Sequence, residues 1–141
     1  MHVRQGFDVC KEPVFHDIRL ITGFISSLAL ALRIVHRGLG WLAIPCQAFT
    51  CMSIWQHQRS WQLPYGCCDF PFVVNGNAIC ARSTLLILVC IARSVSFFVE
   101  NPLRSSIHMW PFFNHLLAMP FLNTVRTSWY GDPFYIYFLF V

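Results

Sequence analysis

Charged side chains are scarce in this chain: Asp, Glu, Lys and Arg make up 11% of its 141 residues, against roughly 25% in an ordinary soluble domain. Hydrophobic residues make up 56%. This excess raises the alternative of a small integral membrane protein, with spans over 20–35 and 83–99. A spanning helix needs about 20 mostly apolar residues. Arg, His, Gln, Pro or Glu interrupts each stretch sooner, so we expect buried strands and core helices instead.

The cysteines lack a pairing pattern. Their number is odd, seven, and no apolar leader segment follows Met1. We therefore expect neither secretion nor a disulfide framework, and we expect a reducing intracellular compartment. Adjacent Cys67 and Cys68 do not have the paired spacing of a zinc site, so no metal is expected.

Acidic residues are fewer than basic ones: the chain has 10 Lys and Arg and 6 Asp and Glu, which gives a net charge of +4. That balance is compatible with a polyanionic partner such as DNA. It is more typical of scattered arginines that solvate a small surface.

Apolar segments of two lengths alternate along the chain, without repeats. We predict strands over 6–10, 14–18, 39–44, 95–99 and 124–130, helices over 23–35, 77–92 and 108–119, and an unassigned loop over 47–72. Strands that alternate with helices favour an α/β fold, a parallel sheet with helices on both faces. We place one domain over 1–132, followed by an apolar C-terminal tail over 133–141.

Two reactive side chains follow apolar strands. Cys46 leaves the strand at 39–44, and Glu100 ends the apolar run that begins at Ser96. Because parallel strands present their carboxyl ends at the same edge of a sheet, ligands bind there. We therefore expect the thiol and the carboxylate to face one bound molecule.

These segments resemble the cytosine-C5 DNA methyltransferases, which use S-adenosylmethionine on a Rossmann-like sheet. Pro45-Cys46-Gln47-Ala48-Phe49 is similar to the Pro-Cys-Gln loop that carries the catalytic cysteine. Phe98-Val99-Glu100-Asn101 is similar to the strand end that carries the catalytic glutamate. Between them, a helix that starts near Arg82 looks like the Arg-x-x-Leu helix of that family.

The resemblance implies a separate role for each of the site residues. Cys46 would attack C6 of cytosine, and Glu100 would hold the N3–N4 edge of the base while C5 takes a methyl group. The residues that would bind the cofactor are Asp8, Asp17 and Pro45, with Glu12 as the alternative to Asp8 for the acid that contacts the ribose. The residues that would contact DNA are Gln47 and Arg59.

Several parts of the family pattern are missing. The chain has no glycine-rich Phe-x-Gly-x-Gly loop, so the strand that carries this cofactor loop is expected to be missing from the sheet. We therefore expect a partial Rossmann-like sheet in a truncated or degenerate methyltransferase-like domain that is inactive alone. Another chain that completes the sheet is a further expected partner, and the nucleus is the expected location if DNA is the substrate. The alternatives are the membrane protein and a non-catalytic interaction module or gene fragment.

Overall fold

The computed structural model describes residues 16–102 and 104–120 in full, and the backbone of 123–128 and 134–140. Within these residues lie four helices and four strands. The helices are α1 (Ile21–Ala31), α2 (Ile54–His57), α3 (Pro71–Ala92) and α4 (Pro111–Leu117). The strands are β1 (Leu39–Ala43), β2 (Ser96–Pro102), β3 (Asn123–Ser128) and β4 (Phe134–Phe140).

The strands form one mixed sheet in the order β1-β2-β4-β3. β1 and β2 run parallel, with Leu39 opposite Ser96 and Ala43 opposite Glu100. β4 pairs antiparallel with both β2 and β3. The α/β expectation is thus confirmed in its coarse form, a parallel pair with helices. The expectation of a wholly parallel sheet is wrong, because β3 and β4 enter it as an antiparallel pair.

Helix α3 makes the crossover that a parallel pair requires. It begins at Pro71, earlier than predicted, because proline fits the first turn of a helix, where its missing N–H costs nothing. Its buried side packs against β2, α1 and α4. Phe97 and Val99 of β2 lie in this core, at 5% and 0% exposure.

The opposite face of the parallel pair is open. Leu39 and Trp41 point there, and they are 55% and 61% exposed. No helix among the described residues covers this part of the sheet, so the expected helix layer on both faces is not found there.

Two further expectations concern the chain ends. A strand over 14–18 is wrong from His16 onward, because Asp17 turns the chain into α1: its side chain accepts from the Arg19 N–H at 2.9 Å and its carbonyl from the Leu20 N–H at 2.9 Å. The strand predicted over 6–10 lies outside the described residues. The run after 133, expected as a tail, forms β4 in the interior of the sheet, since its backbone hydrogen-bonds on both sides.

One helix in the described part of the chain, α3, is long and apolar enough to cross a membrane by length and composition. In its most apolar window, 39% of the residues are buried inside the protein, and core helices pass the same test. The second span of the membrane alternative, 83–99, is not one helix, because α3 ends at Ala92 and β2 begins at Ser96.

Candidate functional site

Cys46 and Glu100 lie on neighbouring parallel strands. Glu100 is directly opposite Ala43, and Cys46 follows Ala43 by three residues at the start of a short 3-10 turn, Cys46–Ala48. Glu100 is half-buried and lies two residues before the end of β2, while Cys46 is exposed. Strand spacing and rise put their Cα atoms on the order of 10 Å apart.

The loops that leave β1 and β2 are fastened to each other. The Phe49 carbonyl accepts from the Ser106 backbone N–H at 2.7 Å and from the Ser106 hydroxyl at 3.0 Å. The Cys46 carbonyl accepts from the N–H groups of Phe49 and Thr50, both at 2.8 Å. Because every bond involves backbone, the position of the cysteine turn is fixed relative to β2.

Helix α3 approaches the cysteine turn at Gly76. A Cβ atom at Gly76 would lie 2.3 Å from the Cβ of Ala48, far inside normal contact distance. Ala48 itself is 3% exposed. Glycine is therefore required for α3 and the turn to pack this closely.

Arg59 anchors the underside of the same turn. It is 3% exposed and donates to the carbonyls of Ala48 (2.7 Å) and Pro64 (2.6 Å) and to Oδ1 of Asn77 (2.7 Å). Its guanidinium lies 4.3 Å from the centre of the Phe49 ring. Burial lowers the pKa of Arg59. A DNA contact by this side chain would require these bonds to open, so in this structure Arg59 supports the loop from inside.

His57 holds the other end of the loop. Its Nδ1 accepts from the Arg59 N–H at 3.1 Å, which leaves Nε2 as the donor to the Thr50 carbonyl at 2.9 Å. That is the neutral tautomer, and burial lowers the pKa of His57 accordingly. His57 is therefore a structural donor inside the loop.

Glu100 shares the open face of the sheet with two aromatic rings. Trp41 and Phe98 are opposite each other, two residues before Ala43 and Glu100, and their rings are 5.8 Å apart. Trp41 is largely exposed. The two rings are tilted by 44° to each other. The arrangement offers an aromatic surface next to a carboxylate, a combination that suits a planar ring with hydrogen-bonding edges.

Asn101, the next residue, points the other way, into the core, and is 1% exposed. Neither its Nδ2 nor its Oδ1 has a hydrogen-bond partner in the described part of the structure. A buried amide without partners costs free energy, so packing alone does not explain this residue. Sequence reasoning noted Asn101 only as part of the Glu-Asn pair.

Of the cofactor residues implied by the resemblance, Pro45 lies next to Cys46, and Asp17 lies just before α1. Asp17 is held by its neighbour Arg19, whose Nη2 lies 2.6 Å from Oδ2, and this hydrogen bond lowers the pKa of Asp17. It precedes α1, next to Ile18, whose carbonyl accepts from Arg82 in the middle of α3. Pro45 is exposed at the end of β1, and Asp8 lies outside the described residues.

Gln47 is exposed beside Cys46, and sequence reasoning missed two larger exposed side chains that follow it. Met52 is 89% exposed and Trp55 88% exposed. The Ser53 hydroxyl donates to the Gln47 carbonyl at 2.6 Å, which ties them to the cysteine turn. The signal in the sequence that could have indicated them is the charge-free run from 38 to 58.

The described residues include no group of three His, Cys, Asp or Glu side chains that could hold a metal ion. Of the cysteines, Cys80 and Cys90 are fully buried, and burial raises their pKa values to about 12 and about 11. Cys46 and Cys51 are exposed on one loop. The site therefore offers an accessible thiol, a half-buried carboxylate and an aromatic surface. No family model, curated protein or solved structure matches this chain.

Proposed function

We propose that the chain is a degenerate cytosine-C5 DNA methyltransferase-like domain that retains the base-reacting half of the site, Cys46 and Glu100. The observation that carries the proposal is the parallel pairing of β1 with β2, with Glu100 opposite Ala43 and Cys46 just beyond it. The bonds from Phe49 to Ser106 add support, because they fix the cysteine turn against β2. We also propose, as part of the same relationship, that the sheet is Rossmann-like.

The chemistry follows from the two side chains. The sulfur of Cys46 forms a bond to C6 of a cytosine, and the π electrons of the C5–C6 bond move into the ring. The carboxyl group of Glu100 carries the proton that the thiol gives up to N3, so no full negative charge builds up on the base. A cytosine taken out of the duplex stack would lie against Trp41 and Phe98, where its flat face finds an aromatic surface.

The residues that the structure describes do not form a site that fits S-adenosylmethionine. The sequence has no glycine-rich loop, and both oxygens of Asp17 are bonded to Arg19. We therefore derive no methyl transfer for this chain alone. Covalent addition to the base, and its reversal, are the proposed activities, with another chain as the proposed source of the missing part.

The test is covalent capture on single-stranded DNA that contains 5-azacytosine, in which ring atom 5 is nitrogen. Thiol addition at C6 of this base leaves a proton on N5, and no methyl donor is needed. We expect an adduct with the combined mass of chain and oligonucleotide, attached at Cys46. Glu100→Gln should slow its formation on the order of 100-fold, as loss of a general acid does.

Cys51→Ser is the matched control for Cys46→Ser, because both thiols are exposed on the same loop. We expect the adduct to persist with Cys51→Ser and to disappear with Cys46→Ser. An adduct on Cys51, or no adduct at all, contradicts the proposal. Calorimetry with S-adenosylmethionine is expected to show no binding, and saturable binding would refute the loss of the cofactor half.

A further inference from the structure

A polar crevice lies at the opposite end of the parallel pair from Cys46, where β1 and β2 begin. Its volume is about 600 Å³, and His36, Arg37, Ser94 and Ser96 line it. The Arg37 N–H donates to the Ser94 carbonyl at 3.1 Å, and the Ser96 N–H donates to the Gly38 carbonyl at 3.0 Å. Two backbone hydrogen bonds thus join the loops that form the crevice.

Positive charge is concentrated on these two loops. Arg33 and Arg37 precede β1, and Arg93 precedes β2, and all three are exposed. The Arg93 Nη2 donates to the Ile34 carbonyl at 3.3 Å, which brings its guanidinium onto the other loop.

No acid in the described part of the chain compensates this charge on the loops themselves. The acids described there are Asp17, Asp69 and Glu100, and Asp17 is already paired with Arg19. A cleft lined by charge of one sign raises the local concentration of ions of the opposite sign.

The backbone of the crevice is strained at two of its lining residues. Arg37 and Ser94 have φ angles of 59° and 56°, in the left-handed region that side chains other than glycine seldom adopt. Such a conformation costs of order 1–3 kcal/mol and is often found where a ligand is held. Here it places an arginine and a serine side by side at the mouth of one cavity.

We propose that this crevice binds a phosphate group, as inorganic phosphate or as the monoester of a small molecule. One guanidinium group can donate two parallel hydrogen bonds to two oxygens of a phosphate group. The hydroxyls of Ser94 and Ser96 supply further donors. The four residue steps from Ser96 to Glu100 span about 13 Å at 3.3 Å each. The phosphate site is therefore separate from Cys46 and Glu100, and it does not depend on the proposed reaction.

The test is calorimetric titration of the full chain with inorganic phosphate and with glycerol phosphate, at a constant ionic strength of about 0.15 M to screen non-specific charge. We expect saturable binding of at least one of them. Arg37→Gln should weaken it tenfold or more, as loss of a charge-assisted hydrogen bond does. Arg93→Gln, at a residue with ordinary backbone angles (φ −101°), should weaken it as well and guards against misfolding of the first variant.

Arg104→Gln is the matched control. Arg104 is exposed, has a φ of 63° like Arg37, and lies beyond the other end of β2, so the substitution removes the same charge from the same backbone conformation. We expect unchanged binding. Tighter binding of the ester identifies a small-molecule ligand, and equal or weaker binding identifies the free anion. Absence of saturable binding of both, or an equal loss in Arg104→Gln, overturns the proposal.

Discussion

Replacing Arg59 should loosen the cysteine turn and destabilise the whole domain. In Arg59→Met, the Ala48 carbonyl loses its buried partner, and the Pro64 carbonyl and Oδ1 of Asn77, both only partly buried, lose theirs. One fully buried acceptor left unpaired costs roughly 1–3 kcal/mol, and the two others cost less because water reaches them. The lost stacking on Phe49 adds about 1 kcal/mol. Methionine carries no charge, so the cost of burying the guanidinium is removed, and this offsets part of the loss.

We therefore expect a loss of roughly 3 kcal/mol in the free energy of unfolding, within the range for a buried polar network. Urea denaturation measures it, with an unchanged slope against urea as the sign of a simple stability change. Arg59→Lys should recover little, because one ammonium group does not reproduce the planar fork that binds three acceptors. The exposed Arg104→Met is the control and should stay within about 0.5 kcal/mol of the parent chain. A similarly small effect of Arg59→Met, or full rescue by lysine, would refute the role assigned to Arg59.

Three further predictions follow from packing, burial and charge. Gly76→Ala should cost roughly 1–3 kcal/mol in urea denaturation, because the new methyl group overlaps Ala48, and a neutral result would mean that α3 shifts freely. Iodoacetamide at pH 8, followed by mass spectrometry, should label exposed Cys46 and leave Cys80 unlabelled until denaturant is added, since burial raises the Cys80 pKa to about 12; equal labelling rates would contradict the described core. The pair of Asp17 with Arg19 lowers the folded-state pKa of Asp17, so its contribution is present above the unfolded pKa and is lost as the pH falls below about 4. Asp17→Asn should therefore lower stability by less than about 1 kcal/mol at pH 7, and the difference should shrink as the pH falls below about 4; a pH-independent difference would argue against the ion pair.

Local sequence signals were sufficient to predict those strands and helices whose own residues show a clear hydrophobic pattern and end at a turn. β1 and β2 were predicted within two or three residues, because each is a short apolar run that ends at a turn. Helix α3 was predicted in its apolar part, and only the turns from Pro71 to Gly76 were missed. The position of the Cys46 loop relative to Glu100 could be predicted as well, since it requires only that two consecutive strands be parallel neighbours.

Other features depend on partners that are distant in sequence. The aromatic run 134–140 has no polar alternation that would show which strands it pairs with, so its place between β2 and β3 could not be derived from its own residues. Arg59 looked like a loop arginine, because nothing nearby in sequence indicates that Ala48 and Asn77 meet it from both sides. The crevice at Arg37 and Ser94 likewise exists only because two loops that are far apart along the chain lie side by side.

The sequence by itself determined the parallel strand pair, the crossover helix and the placement of a thiol just after one apolar strand and a carboxylate near the end of the next, since hydrophobic pattern and turn chemistry act over a few residues. The tertiary structure alone decided which polar groups are exposed and which are buried. Burial is a property of the whole packing, and it makes Arg59 an internal support while it leaves Arg37 exposed to an anion.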